Sequence, residues 1–335
     1  MNRRFASGRR CPPARDHVRF GAALCTAVLL VSPRAAAQEN DEVQARINYV
    51  YATQFGFGGY KVGGLNANVY QLPIAFTVDD VIGSWDLEIG LPITYGDFGF
   101  STSVDVPVDR EDGTREVENF FVRVDTNTIG IEPRLQLDIP IHALPGLRVS
   151  PFGAFGFGTT FDTSGSARST SGARTNFSFT ESQFYTYQIG VTSLYTYPWN
   201  DFTFLLGNAF LYAGDATFGG GGDLGDDVEG YGTFRTGIEV RYPLGFTFYG
   251  IAPDVGAFFV YNLFTPSLQF TRVARRTLEI DEIFELGATV GAAKPYEISW
   301  LPRVLNDALD EFRIGIGYQT GQRLDGVRVT FGVPF

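Results

Sequence analysis

SWDLEIGLPITYGD, residues 84–97, puts Trp85, Leu87, Ile89, Leu91, Ile93 and Tyr95 on one parity and Asp86, Glu88, Gly90, Pro92 and Thr94 on the other. Side chains of an extended strand alternate between two faces, so one face here is apolar throughout and the other is polar or small. About ten steps of roughly 3.3 Å, tilted by about 40°, rise about 25 Å, the height of the apolar band that a membrane-spanning sheet turns to lipid. An aromatic stands at either end, where a ring with one apolar side and one hydrogen-bonding group is best placed.

The pattern recurs along the chain. Ile129, Ile131, Leu135, Leu137 and Ile139 oppose Gly130, Glu132, Arg134, Gln136 and Asp138. Phe234, Ile238, Val240 and Tyr242 oppose Arg235, Gly237, Glu239 and Arg241, and Phe312, Ile314, Ile316 and Tyr318 oppose Arg313, Gly315, Gly317 and Gln319. A single strand of this kind also suits a solvated sheet, so the links between strands carry more weight. Tight links (DDVIGS, PIHALPG, PWND, PLG) alternate with long polar ones: residues 101–119, the Ser/Thr-rich 163–176, the acidic 215–230 and 265–282. Short turns on one side and long loops on the other predict an all-β, antiparallel up-and-down transmembrane barrel of about twelve strands. Prolines 73, 92, 133, 151 and 253 each remove a ladder donor and predict short or bulged strands. Between the last long strands, KPYEISWLPRVLNDALDEF has apolar residues at helical spacing after Pro302, which predicts a short amphipathic helix on the periplasmic side.

Residues 1–37 read as a secretory signal peptide: arginines from Arg3 to Arg19, the apolar run Gly21–Val31, then Ala35, Ala36 and Ala37 before the cleavage point. The run is too short to cross a bilayer as a helix. Its removal leaves residues 38–335 and takes away both cysteines, Cys11 and Cys25. Seven arginines and one aspartate leave with it, which moves the formal net charge from −11 to −17. A balance this acidic argues against nucleic acid as a partner.

With these residues in view the chain resembles a Gram-negative outer-membrane β-barrel protein over nearly all of residues 38–335. The final stretch GVRVTFGVPF has Val327, Val329, Phe331, Val333 and Phe335 on one parity. The resemblance implies that Val329, Phe331, Val333 and Phe335 form the C-terminal signal read by the barrel-assembly machinery, with Phe335 facing lipid. It further implies an outer-membrane location among lipids and lipopolysaccharide. A count of twelve resembles the translocator barrel of autotransporters and several narrow-pore channels, here without a passenger.

Chemistry is sparse. Barrel enzymes of this class mostly use a histidine near the outer face, and the one histidine after the signal, His142, sits in a tight turn on the expected periplasmic side. No catalytic residue, metal site or cofactor is therefore expected. Asp215, Asp223, Asp226, Asp227 and Glu229 match no calcium-loop spacing and read as a solvated loop. Arg272, Arg275 and Arg276 could pair with lipid phosphates or simply keep a loop soluble. The inward parities offer Glu132, Arg134, Asp138, Arg235, Glu239, Arg241, Arg313 and Arg328. Separated by water, these charges would line a passive narrow, porin-like pore, which is the expected role; the alternative is that they pair across the lumen and fill a closed scaffold that acts through its long loops. Inward glycines such as Gly90, Gly190, Gly287 and Gly315 lean slightly toward open space and are equally compatible with barrel curvature.

Overall fold

The computed structural model describes residues 57–62, 65–109, 115–170, 172, 174–178, 183–218, 230–247, 251–273, 276–293, 313–322 and 324–335. The signal peptide, the expected strand before residue 57, the acidic stretch 219–229 and the helix-patterned segment 294–312 lie outside them.

Sixteen strand segments build one sheet: β1 (Phe57–Val62), β2 (Leu65–Leu72), β3 (Ala75–Ile82), β4 (Trp85–Gly90), β5 (Ile93–Asp109), β6 (Arg115–Ile131), β7 (Arg134–Pro140), β8 (Leu147–Ser169), β9 (Arg174–Ser178), β10 (Gln183–Trp199), β11 (Phe202–Phe218), β12 (Gly230–Pro243), β13 (Pro253–Val273), β14 (Arg276–Ala292), β15 (Arg313–Gly321) and β16 (Leu324–Phe331). Every pairing is antiparallel, and β1 pairs with both β2 and β16 while β8 pairs with both β6 and β10, so the sheet closes on itself. Closure removes the free edges that hydrocarbon would not tolerate.

Sixteen segments make twelve wall strands, because four strands are interrupted rather than ended. Leu72 pairs with Ile93 and Ala75 with Gly90, which places Pro73 opposite Pro92 in an unchanged register. The same continuity holds from Ile93–Ile131 to Gly90–Arg134 across Pro133. Three prolines on adjacent strands thus line up in one crease, since each lacks the N–H that a ladder rung needs. The crease is stitched by Leu91 N–H to the Ile74 carbonyl (2.7 Å), Glu132 N–H to the Pro92 carbonyl (3.1 Å) and Phe155 N–H to the Pro133 carbonyl (3.0 Å). The fourth interrupted strand is β9 with β10, both in one register on β8.

Much of the length of the long outer links is itself paired strand. β5 and β6 pair as far as Asp109 and Arg115, β8 reaches Ser169, and β13 and β14 pair as far as Val273 and Arg276. The 23 residues of β8, at roughly 3.3 Å each and tilted by about 40°, rise nearly 60 Å, about twice the height of the apolar band. Sequence lacked the signal because, above the membrane, the outward face no longer has to be apolar.

That change of solvent marks where the membrane stops. On β10, β11 and β14 the outward residues Ile189, Leu206, Phe210, Leu286 and Val290 are exposed and apolar. Higher up the pattern inverts: Leu65, Ala67 and Val69 point inward while Asn66 and Asn68 point outward, and Phe98 is buried beside exposed Asp97. A water-facing sheet buries its apolar face and a lipid-facing one exposes it. At the change of pattern, aromatics touch around the wall: Phe331 with Phe57 (5.6 Å between ring centroids), Phe57 with Tyr70 (5.9 Å), Tyr70 with Tyr95 (5.9 Å), and Tyr95 with Phe161 (6.4 Å). A second group, Trp199, Phe202, Phe204 and Tyr242, lies by the opposite turns. Within the band, three outward polar groups on adjacent strands satisfy one another: Thr236 Oγ1 donates to Asn208 Oδ1 (2.9 Å), and Asn208 Nδ2 approaches Ser193 Oγ (3.5 Å).

Candidate functional site in the barrel interior

The interior has two storeys. The outer one is apolar: Tyr60, Leu65, Val69, Phe98, Leu211, Tyr231, Phe264, Ile280, Ile283 and Leu324 pack together from strands all around the wall. Its residues face inward where the outside is water, so this end is built like the core of a soluble barrel.

The membrane-level storey is polar and mostly paired. Arg313 on β15 donates from Nη2 to both oxygens of Asp254 (2.5 and 2.7 Å) and from Nη1 to Thr289 Oγ1 (2.9 Å). Thr289 Oγ1 in turn donates to Glu239 Oε1 (2.5 Å), whose other oxygen takes Arg241 Nη2 (2.8 Å). Glu239, Asp254, Thr289 and Arg313 are all buried, and Glu239 has 0% exposure. A second group centres on Glu285: Arg328 Nε donates to its Oε1 (2.9 Å) and Gln319 Nε2 to its Oε2 (3.0 Å), with Arg328 Nη2 also 2.8 Å from Oε2. Elsewhere Arg235 Nε donates to Asn262 Oδ1 (2.7 Å), and Glu132 Oε2 accepts from Gln188 (3.0 Å) and Thr186 (3.3 Å). Arg134 stacks over the Phe152 ring at 3.9 Å and donates to Gln136 (2.6 Å), which donates to Asp138 (2.9 Å).

The eight inward charges singled out by parity all lie on this inner surface. The structure brings Glu239, Arg241 and Arg313 into one network and joins Arg134 to Asp138 through Gln136. Glu132 accepts from Gln188 and Thr186, and Arg235 donates to Asn262. Sequence reading missed Asp254 and Glu285, the anchors of the two networks. Glu285 shares parity with Gly287 and Thr289 opposite Phe284 and Leu286, so alternation alone would have flagged it. Asp254 gives no such signal, because it stands at the first turn of β13 behind Pro253.

Three of the four inward glycines singled out in the sequence face occupied space. A Cβ at Gly90 would meet Arg134 Cβ at 3.5 Å; at Gly190, the Phe152 ring at 2.8 Å; at Gly287, the Phe258 ring at 2.3 Å; and at Gly315, Thr330 Oγ1 at 2.4 Å. Gly190, Gly287 and Gly315 stand where a Cβ would not fit against neighbouring atoms, so the lean toward open space is not met at these three positions, while Gly90 would meet its neighbour at ordinary contact distance.

Val329 and Phe331 belong to β16, whereas Val333 and Phe335 do not continue it. Gly332 takes φ +81°, a left-handed conformation that turns the chain inward, so the expectation that Phe335 faces lipid is not met. His142 lies in the turn between β7 and β8, with Nε2 3.3 Å from Ser84 Oγ of the turn between β3 and β4. Its contact ties two turns together. Outside the membrane, Arg123 is held by Asp125 (2.9 Å), and that hydrogen bond raises the guanidinium pKa.

No protein-family model matches the chain, and none of the curated proteins does. Among solved structures it is similar to the β domain of the Bordetella autotransporter BrkA (11% identity, TM-score 0.40, 82% of this chain and 98% of that one). It is also similar to the translocator domain of the autotransporter NalP from Neisseria meningitidis (12% identity, TM-score 0.41, 92% and 99%). A third is the transport unit of the autotransporter AIDA-I from Escherichia coli (12% identity, TM-score 0.43, 82% and 88%). From its own closure, inverted polarity and aromatic belts, the chain is a closed twelve-stranded antiparallel β-barrel of the outer-membrane kind.

Proposed function

We propose that residues 1–37 export the chain and that the barrel-assembly machinery inserts it into the outer membrane of a Gram-negative cell, among lipids and lipopolysaccharide. There it acts as a closed, non-enzymatic, translocator-like barrel that works through the strands standing above the membrane. The observation that carries this reading is the burial of Glu239, Asp254, Glu285, Arg313 and Arg328 in paired networks across the inner wall. Charges lining a water-filled pore stay hydrated and gain little from pairing, whereas charges shut away from water need partners. Above the aromatic belt, Val117 and Phe121 on β6 remain exposed, an apolar surface suited to contact with another molecule.

The competing reading is a passive narrow-pore channel. Planar-bilayer conductance of the purified protein under a salt gradient separates the two. The closed reading expects insertion without current steps; discrete steps that change when Arg241 is neutralised would return the channel reading.

A further inference from the structure

Residues 332–335 leave the wall and cross the interior. After Phe331, Gly332 N–H donates to the Arg313 carbonyl (2.9 Å), and the positive φ at Gly332 directs the next three residues inward. Pro334 is buried, and its carbonyl accepts from Arg328 Nη2 at 2.7 Å, the same guanidinium that pairs with Glu285. The Phe335 ring then lies against Gly207 of β11 and Gly237 of β12. Those two glycines are direct cross-strand partners; β13, β14 and β15 separate Gly237 from β16 in the wall, and β12 as well separates Gly207. The segment therefore spans the lumen instead of following its perimeter.

The seat is made for a ring. A Cβ at Gly207 would lie 1.9 Å from Phe335 Cδ2, and one at Gly237 would lie 2.5 Å from Cδ1. Any other residue at either position would push the ring away. Gly237 stands between Arg235 and Glu239 on the inward parity, so the ring is held at the level of the ion networks.

We propose that Gly332–Phe335 is an internal latch: with Phe335 on the Gly207–Gly237 seat the lumen is closed, and lifting the ring opens an aqueous path. This rests on the closed-lumen reading above. The same residues extended along the wall would put Val333 and Phe335 on the lipid-facing parity of Val329 and Phe331, so one glycine hinge gives the segment two settings. Arg328 couples the latch to the wall, since it holds Glu285 and the Pro334 carbonyl together.

Two measurements on the full chain, purified from outer membranes and counted as folded barrels by gel mobility, test the latch. The first joins Gly237→Cys with Phe335→Cys in the exported chain, which has no other cysteine once residues 1–37 are removed. Phe335 Cβ lies 3.0 Å from where a Gly237 Cβ would be, close to the roughly 3.5–4.5 Å of a disulfide. Mild oxidation should cross-link the pair; failure to cross-link overturns the latch. The second compares conductance of the parent, Phe335→Ala, which empties the seat, and Gly237→Leu, which fills it. The open fraction is expected to rise by about tenfold or more in both variants over a silent parent. If parent and variants are all silent, the latch is wrong and the closed reading stands. If the parent conducts as freely as the variants, the closed reading and the latch fail together.

Discussion

Replacing Arg313 by leucine distinguishes a dry interior from a wet one by its cost. The guanidinium makes two hydrogen bonds to Asp254, at 2.5 and 2.7 Å, and one to Thr289, and lies 3.5 Å from Glu239. Arg313→Leu leaves the buried Asp254 carboxylate without its cation, while Glu239 retains Arg241. Removing one partner of a buried pair costs about 3–5 kcal/mol, whereas a hydrated pair is worth about 0–1 kcal/mol. The dry interior thus predicts a fall of roughly two to three and a half powers of ten in the folding equilibrium. With an m-value of about 2 kcal/mol/M, the urea midpoint should fall by about 2 M. Reversible unfolding in lipid vesicles, followed by the emission of Trp85 and Trp199, gives the readout. Leucine at both Arg313 and Asp254 should recover most of the loss, because an apolar pair leaves no charge to desolvate. A loss below about 1 kcal/mol for the single variant would mean that water reaches the network, and the closed reading would be refuted.

The lipid-facing assignment is tested on β14. Leu286, 67% exposed, should lose about 2–4 kcal/mol on substitution by arginine if it meets hydrocarbon, and Asn66→Arg above the aromatic belt should lose almost nothing; equal costs in vesicle refolding would contradict the placement of the membrane. At the outer rim, Asp281 accepts hydrogen bonds from Ser267 and from Gln322 (3.1 Å), which hold its carboxyl below the usual carboxylate range. The folded state therefore gains from the ionised form at neutral pH and loses that gain only as pH falls through the lowered value. An NMR titration of the Asp281 carboxyl should move toward the ordinary range in a Ser267→Ala, Gln322→Ala variant, and an unchanged midpoint would dismiss those bonds as the cause.

Within the lipid-facing band, alternation along the chain was enough to establish which face a side chain takes. Parity put Glu132, Arg134, Arg235, Glu239, Arg313 and Arg328 on the inside, and short and long links in alternation set the number of wall strands. The reason is local: a strand's two faces follow from backbone geometry, and lipid on one of them forces an apolar stripe. Where the outside becomes water that constraint reverses, so Leu65, Val69 and Phe98 went unread as an interior and residues 101–119 were read as a loop. The proline crease was legible as trouble at 73, 92 and 133, but its alignment needed the register of three strands. Pairing on the inner wall belonged to tertiary structure alone. Register sets Arg313 of β15 beside Asp254 of β13 across Gly291, and Arg328 of β16 beside Glu285 of β14 over Gly317, while Phe335 finds Gly207 and Gly237 because closure turns β16 toward β11 and β12. Alternation sets which side a residue is on; only the register of neighbouring strands in the closed wall decides what stands beside it, and so whether an inward charge meets water or its counter-ion.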